Sequence, residues 1–173
     1  MALSKVFETV TTFLETEEVD YALIGAFALY GFGYVRATRD IDFVVRIEEQ
    51  HKLVSFLESL GFETIHRSPA FSNHIHPFGS LRIDFMYVEG TTADEIFSRI
   101  HKRMVLGKKH LPVVAPEHLI AMKLFAAAHN PDRRLRDLAD VREIVKNTDI
   151  APETVRALFV KYGLEGDYDD TTR

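Results

Sequence analysis

The segment Arg39-Asp40-Ile41-Asp42-Phe43-Val44 constrains this chain more than any other. In an extended strand residues two apart share a face, so Ile41 and Phe43 turn toward a core while Asp40 and Asp42 project together from the other side. Two carboxylates held that close repel unless a cation sits between them. Mg2+ suits such a pair, because it takes oxygen ligands and keeps positions open for substrate phosphates. The competing reading is a solvated strand start.

A third acid has the same character. In Leu81-Arg82-Ile83-Asp84-Phe85-Met86, alternation sets Leu81, Ile83 and Phe85 on one face and Asp84 on the other. Carboxylates are disfavoured in apolar strands. Asp84 is therefore either the exposed face of an edge strand or the third member of a metal site, and the three acids together favour the site. Ahead of them, Ile24-Gly25-Ala26 sits where a strand turns into a helix, with thirteen residues before Asp40. Backbone N–H groups at such a turn can hold phosphate oxygens, although most glycines at turns only make the bend.

The rest of the chain supplies the frame. Residues 4–16 form an amphipathic helix through Val6, Phe7, Val10, Phe13 and Leu14. Strands are expected at 21–24, 41–46, 62–66, 81–88 and 111–114, with another near 71–76, and a helical piece at 26–30. Leu53, Phe56, Leu57 and Leu60 mark a helix that Gly61 ends. From Pro116 the pattern is helical only, at 116–128, 133–146 and 152–162. The acidic tail from Gly163 to Arg173 is expected to fray. This describes an α/β (α+β) unit: a small mixed sheet flanked by helices over residues 1–114, with a helical C-terminal lobe over 115–173 of the same compact body.

Composition removes whole classes. With 173 residues and 46% hydrophobic positions the chain can bury a core without staples, and zero cysteine excludes thiolate catalysis, zinc fingers and iron–sulfur clusters. The longest uncharged run, Tyr21 to Val35, has 15 residues and three glycines, too short for a membrane span. No membrane association and a cytoplasmic location are expected. The net charge of −5 argues against a basic-coated nucleic-acid binder.

The run Ile24-Gly25-Ala26, thirteen residues, Asp40-Ile41-Asp42-Phe43 closely resembles the signature of the polymerase-beta-like nucleotidyltransferase superfamily. Arg36-Ala37-Thr38-Arg39-Asp40-Ile41-Asp42 is similar to the Arg-x-Thr-x-Asp-Ile-Asp of small AbiEii-like, toxin-type members. Pro116 to Leu124, with Lys123, resembles that family's lysine-bearing helix, and Arg136-Asp137-Leu138-Ala139-Asp140 its following element. Ala26 departs from the pattern, which has Gly or Ser there; it keeps the N–H but offers no hydroxyl.

The resemblance implies the nucleotidyltransferase fold and Mg2+-dependent transfer of a nucleoside monophosphate from an NTP to a hydroxyl acceptor. Asp40, Asp42 and Asp84 would be catalytic and hold one or two ions. Gly25, Ala26, Arg36, Arg39, Lys123 and Asp137 would meet the nucleotide. Two of these have plainer readings. Lys123, the one permanent charge between His118 and Ala128, can reach past the core to water. Asp137 can pair with Arg133, and Asp140 with Arg136, one helical turn away.

The acceptor is expected to be tRNA or a small molecule of aminoglycoside type, with an antitoxin protein as a possible partner. A catalytically silent binding module is the remaining alternative. The tRNA reading rests on Arg99 to Pro116, which holds Arg99, Lys102, Arg103, Lys108 and Lys109 with no acid and follows the strand of Asp84. His74 and His76 share a strand face, but Pro77 beside them favours an exposed loop pair over a metal site.

Overall fold

A computed structural model of the chain describes residues 3–77, 81–106 and 109–173. Among these, seven strands form one mixed sheet: β1 (Tyr21–Leu23), β2 (Asp40–Arg46), β3 (Glu63–Arg67), β4 (Phe71–Ile75), β5 (Arg82–Val88), β6 (His101–Val105) and β7 (Lys109–Val113). Their order across the sheet is β3-β4-β5-β2-β1-β7-β6. β2 runs parallel to β5, and β1 parallel to β7; the remaining pairs are antiparallel.

Alternation explains the two central strands. Ile41 and Phe43 of β2 and Ile83 and Phe85 of β5 are fully buried, while Asp40, Asp42, Arg82 and Asp84 between them are half-buried. The core beneath holds Val10 and Leu14 of α1 (Leu3–Thr16), Phe27 and Leu29 of α2 (Gly25–Gly31), and Leu53 and Leu57 of α3 (Gln50–Ser59). A short helix, α4 (Gly90–Ser98), carries the chain from β5 to β6. The C-terminal lobe is α5 (Pro116–His129), α6 (Pro131–Lys146), α7 (Pro152–Lys161) and α8 (Tyr168–Thr172). Among the described residues no helix is long and apolar enough to cross a membrane.

In four places the structure decides between the sequence readings or departs from them. Asp84 does not lie on an edge strand, since β5 has β4 on one side and β2 on the other. The tail does not fray: Leu164, Tyr168 and Thr171 are buried, and Tyr168 meets Phe159 edge-on while Arg156 stacks on it. The basic run is not a loop leading away from Asp84. It is the β6–β7 hairpin, and α4 has carried it to the far side of the sheet, about 14–19 Å from β5 at ordinary strand spacing. Lys109 there pairs with Glu15, and Arg99 with Glu117; Lys108 lies outside the described residues.

Fourth, His74 is not in an exposed loop. It is buried in β4, its Nε2 2.8 Å from the Ser72 hydroxyl, which meets the Tyr87 hydroxyl at 2.6 Å, and its Nδ1 3.1 Å from the Thr64 hydroxyl. Burial pushes its pKa down to about 4. The unfolded chain takes up a proton near pH 6.5 that the folded chain resists until about 4, so stability falls as pH drops through that window. Thermal melts of wild type and His74→Gln at a series of pH values check this. The advantage of wild type should shrink from pH 7 to pH 4.5; parallel curves would mean that the imidazole is not held neutral.

Candidate active site

The carboxylate face is built by strand register. β2 and β5 are paired so that Asp42 lies directly opposite Asp84 and Asp40 opposite Arg82. Three acids therefore meet on one face, from two neighbouring strands. Burial, then Asp84, then Asp40 push the Asp42 carboxyl up to about 7, and the charges of Lys123 and Arg133 hold it back. Asp84 is also raised, first by burial, with a hydrogen bond from Asn73 and the charge of Arg82 opposing. Asn73 is the direct β4 neighbour of Asp84. One oxygen of Asp84, Oδ1, is buried and has no hydrogen-bond partner among the described residues.

The local sequence fixes both ends of the Asp pair. The Thr38 hydroxyl accepts from the Asp40 N–H and donates to the Asp40 carbonyl, both at 3.1 Å, which sets the start of β2. The Ile24 N–H donates to the Asp42 carbonyl at 3.0 Å and brings Gly25 against the Asp42 side chain. Gly25 has φ +63°, and a Cβ there would stand 2.1 Å from Asp42 Oδ2. This glycine is therefore required twice, for its backbone conformation and for the space that the carboxylate fills. Ala26 beside it is buried.

Lys123, Asp137 and Arg36 form a second cluster behind the first. The Lys123 ammonium is buried and lies 3.0 Å from Asp137 Oδ1 and 2.6 Å from Asp140 Oδ2. Asp140 also accepts from Arg36 at Nε (3.0 Å) and Nη2 (3.2 Å), a two-pronged grip that ties the segment before β2 to α6. Arg133 Nε stands 3.4 Å from Asp137 Oδ2. Lys123 thus does not reach past the core to water. Asp140 pairs with Lys123 and Arg36, not with Arg136 as the helical spacing suggested. Arg39, by contrast, is exposed at the site's entrance.

The donor set suits a divalent metal in its chemistry. Its oxygens are hard, one of them is buried and unpartnered, and burial beside two other acids makes the negative charge of Asp42 costly without a cation. Among the described residues no three acid or histidine side chains stand close enough together to form a finished ion cage. The fit therefore rests on the Asp42–Asp84 pairing, with Asp40 beside it.

Sequence reading missed Asn73, Asp140 and Arg82. Asp140 was readable as the i+3 partner of Asp137 on the same helical face, and Arg82 as the residue two before Asp84. Asn73 gave no signal, because only pairing brings β4 to β5.

A family model described as uncharacterised nucleotidyltransferase matches residues 2–166. No curated protein matches. The chain is similar to the solution structure of antibiotic-resistance factor ANT(2'')-Ia, with TM-score 0.75 and 14% identity over 96% of this chain and 94% of that one. It is similar to lincosamide antibiotic adenylyltransferase LnuA, with TM-score 0.63 and 15% identity over 86% and 99%. It is also similar to an antigenic nucleotidyltransferase-like protein from Paracoccidioides brasiliensis, with TM-score 0.60 and 13% identity over 96% and 90%. At these identities the structural likeness shows the nucleotidyltransferase fold alone.

Gly25→Ala tests the close approach to Asp42. Gly163 also has a positive φ but has open space around it, so Gly163→Ala carries only the left-handed backbone cost of about 1–2 kcal/mol. Urea unfolding should show a clearly larger loss for Gly25→Ala. Equal losses would mean that Asp42 does not fill the space beside the glycine.

Proposed function

The chain belongs to the family of uncharacterised nucleotidyltransferases, and on that premise we propose that it transfers a nucleoside monophosphate from an NTP to a hydroxyl acceptor with Mg2+. The observation that carries this reading is the register of β2 on β5, which sets Asp42 against Asp84 and leaves Asp84 Oδ1 without a partner. Asp40, Asp42 and Asp84 would hold the ion, which when bound offsets their charge and draws in the triphosphate oxygens.

The chain's own residues divide the work by strand order. β1 and α2 lie on one side of β2, and β5 on the other. We assign the triphosphate to the side of Gly25 and Ala26 and the acceptor to the side of Asp84. The acceptor oxygen bonds to the α-phosphorus, the bond from that phosphorus to the bridging oxygen of the β-phosphate breaks, and pyrophosphate leaves. Asp84 takes the hydroxyl proton at Oδ1, the oxygen that Asn73 does not hold.

Lys123 and Arg36 act from behind in this reading. Held by Asp137 and Asp140, Lys123 adds positive potential at Asp42, and Arg36 keeps the helical lobe against the segment that leads into β2. Arg39 is free to meet the nucleotide. Catalysis is then mostly positioning and charge stabilisation.

Calorimetry with NTP and Mg2+ tests the metal assignment. Wild type should bind, EDTA should abolish the binding, and Asp40→Asn with Asp42→Asn should weaken it by about tenfold or more. Equal affinity in the double variant, with its melting temperature retained, would remove the Asp pair from the metal site.

A further inference from the structure

We infer that Arg82 is an anion-binding residue on the acceptor side of the site, and that the acceptor carries a phosphate group near its reacting hydroxyl. This rests on the nucleotidyl-transfer reading and names its substrate class. Arg82 opens β5 two residues before Asp84, so the two side chains share the carboxylate face. It sits opposite Asp40 on β2 and opposite Ile75 on β4.

An arginine among three acids is ordinarily their counter-charge. Arg82 does this only at a distance: its charge opposes the raised proton affinity of Asp84, yet it grips none of the acids. Among the described residues no acid lies within ion-pair distance of its guanidinium, although Asp40 and Asp84 are its neighbours across and along the strand. Its Nε is buried and has no hydrogen-bond partner among the described residues. The other arginines that reach this region are taken: Arg36 by Asp140 and Arg133 by Asp137. A buried guanidinium donor left unpartnered is costly unless a ligand completes it.

The backbone holds Arg82 at the entrance, its N–H donating to the Arg39 carbonyl at 3.2 Å. Arg39 is exposed and is the residue assigned above to the nucleotide, so Arg82 is the guanidinium left for the acceptor. A guanidinium presents a planar fork of donors that matches phosphate oxygens two at a time. Because β5 and not β1 carries Arg82, the phosphate it meets belongs to the acceptor and not to the NTP. A phosphorylated small molecule and a nucleic-acid backbone both supply that group. A polycationic acceptor would meet repulsion there.

The test is calorimetry on the full chain saturated with Mg2+ and a non-hydrolysable NTP, titrated separately with ribose 5-phosphate, total tRNA and tobramycin. At least one of the two phosphate-bearing probes should bind wild type and bind Arg82→Gln at least tenfold more weakly. Arg82→Lys, which keeps the charge but loses the fork, should fall between. Affinity for Mg·NTP should agree within twofold across all three proteins, and their melting temperatures should agree. Binding of ribose 5-phosphate alone would identify a small-molecule acceptor, and of tRNA alone a nucleic acid; either supports the proposal. It is overturned if neither phosphate probe binds wild type, if tobramycin binds more tightly than both, or if Arg82→Gln weakens Mg·NTP and leaves the phosphate probe unchanged. Failure of wild type to bind Mg·NTP at all would instead overturn the nucleotidyl-transfer reading beneath it.

Discussion

Two carboxylates that face each other on neighbouring strands are the constraint from which the rest of this structure follows. Strands in a sheet lie about 4.8 Å apart, so charged Asp42 and Asp84 would repel by on the order of 3 kcal/mol at an effective dielectric near 20. A fold selected only for stability would not keep that pairing in its two central strands. Its register is nevertheless over-determined. Ile41, Phe43, Ile83 and Phe85 must reach the core, and a slip of either strand by one residue would turn its two outward. The same alternation that buries the apolar residues drives the acids together, and burial of the four hydrophobic side chains outweighs the repulsion.

The charged cluster behind the acids solves a different problem. Lys123, Asp137, Asp140 and Arg36 join α5, α6 and the segment before β2, which are far apart in sequence. Buried ion pairs add little net stability over apolar packing, but loss of one partner costs about 3–5 kcal/mol. Such a cluster is intolerant of misplacement. It therefore fixes the helical lobe relative to the Asp pair more sharply than apolar packing does, and a positioning enzyme needs that.

Much of this was readable in the residues. β5 announces itself by alternation throughout and β2 by alternation over its first four residues, and the site acids are the polar members of that pattern. Gly25 was marked by its place at a strand-to-helix turn, though its contact with Asp42 was not. What escaped depends on long-range pairing or on local pattern too weak to see. β6 shows no alternation, because Lys102, Arg103 and Met104 are all exposed on an edge strand. Its position across the sheet was hidden because α4 reverses the neighbourhood implied by sequence order. His74 looked like a loop residue beside a proline, and only the chain of hydroxyls from Thr64, Ser72 and Tyr87 makes its burial tolerable. The tail looked frayed because its acids dominate its composition, whereas Leu164, Tyr168 and Thr171 recur on one side and dock.

The most direct measurement of the central claim follows the label of an NTP. Wild type and Asp84→Asn are incubated with a cell extract and Mg2+, with each NTP labelled at the α-phosphate in one series and the γ-phosphate in the other. Nucleotidyl transfer to a hydroxyl predicts that α-label passes to an acceptor fraction while γ-label leaves as pyrophosphate. Asp84→Asn should lose that transfer while keeping the melting temperature of wild type. Movement of γ-label to the acceptor, or undiminished α-label transfer by Asp84→Asn, would contradict the account.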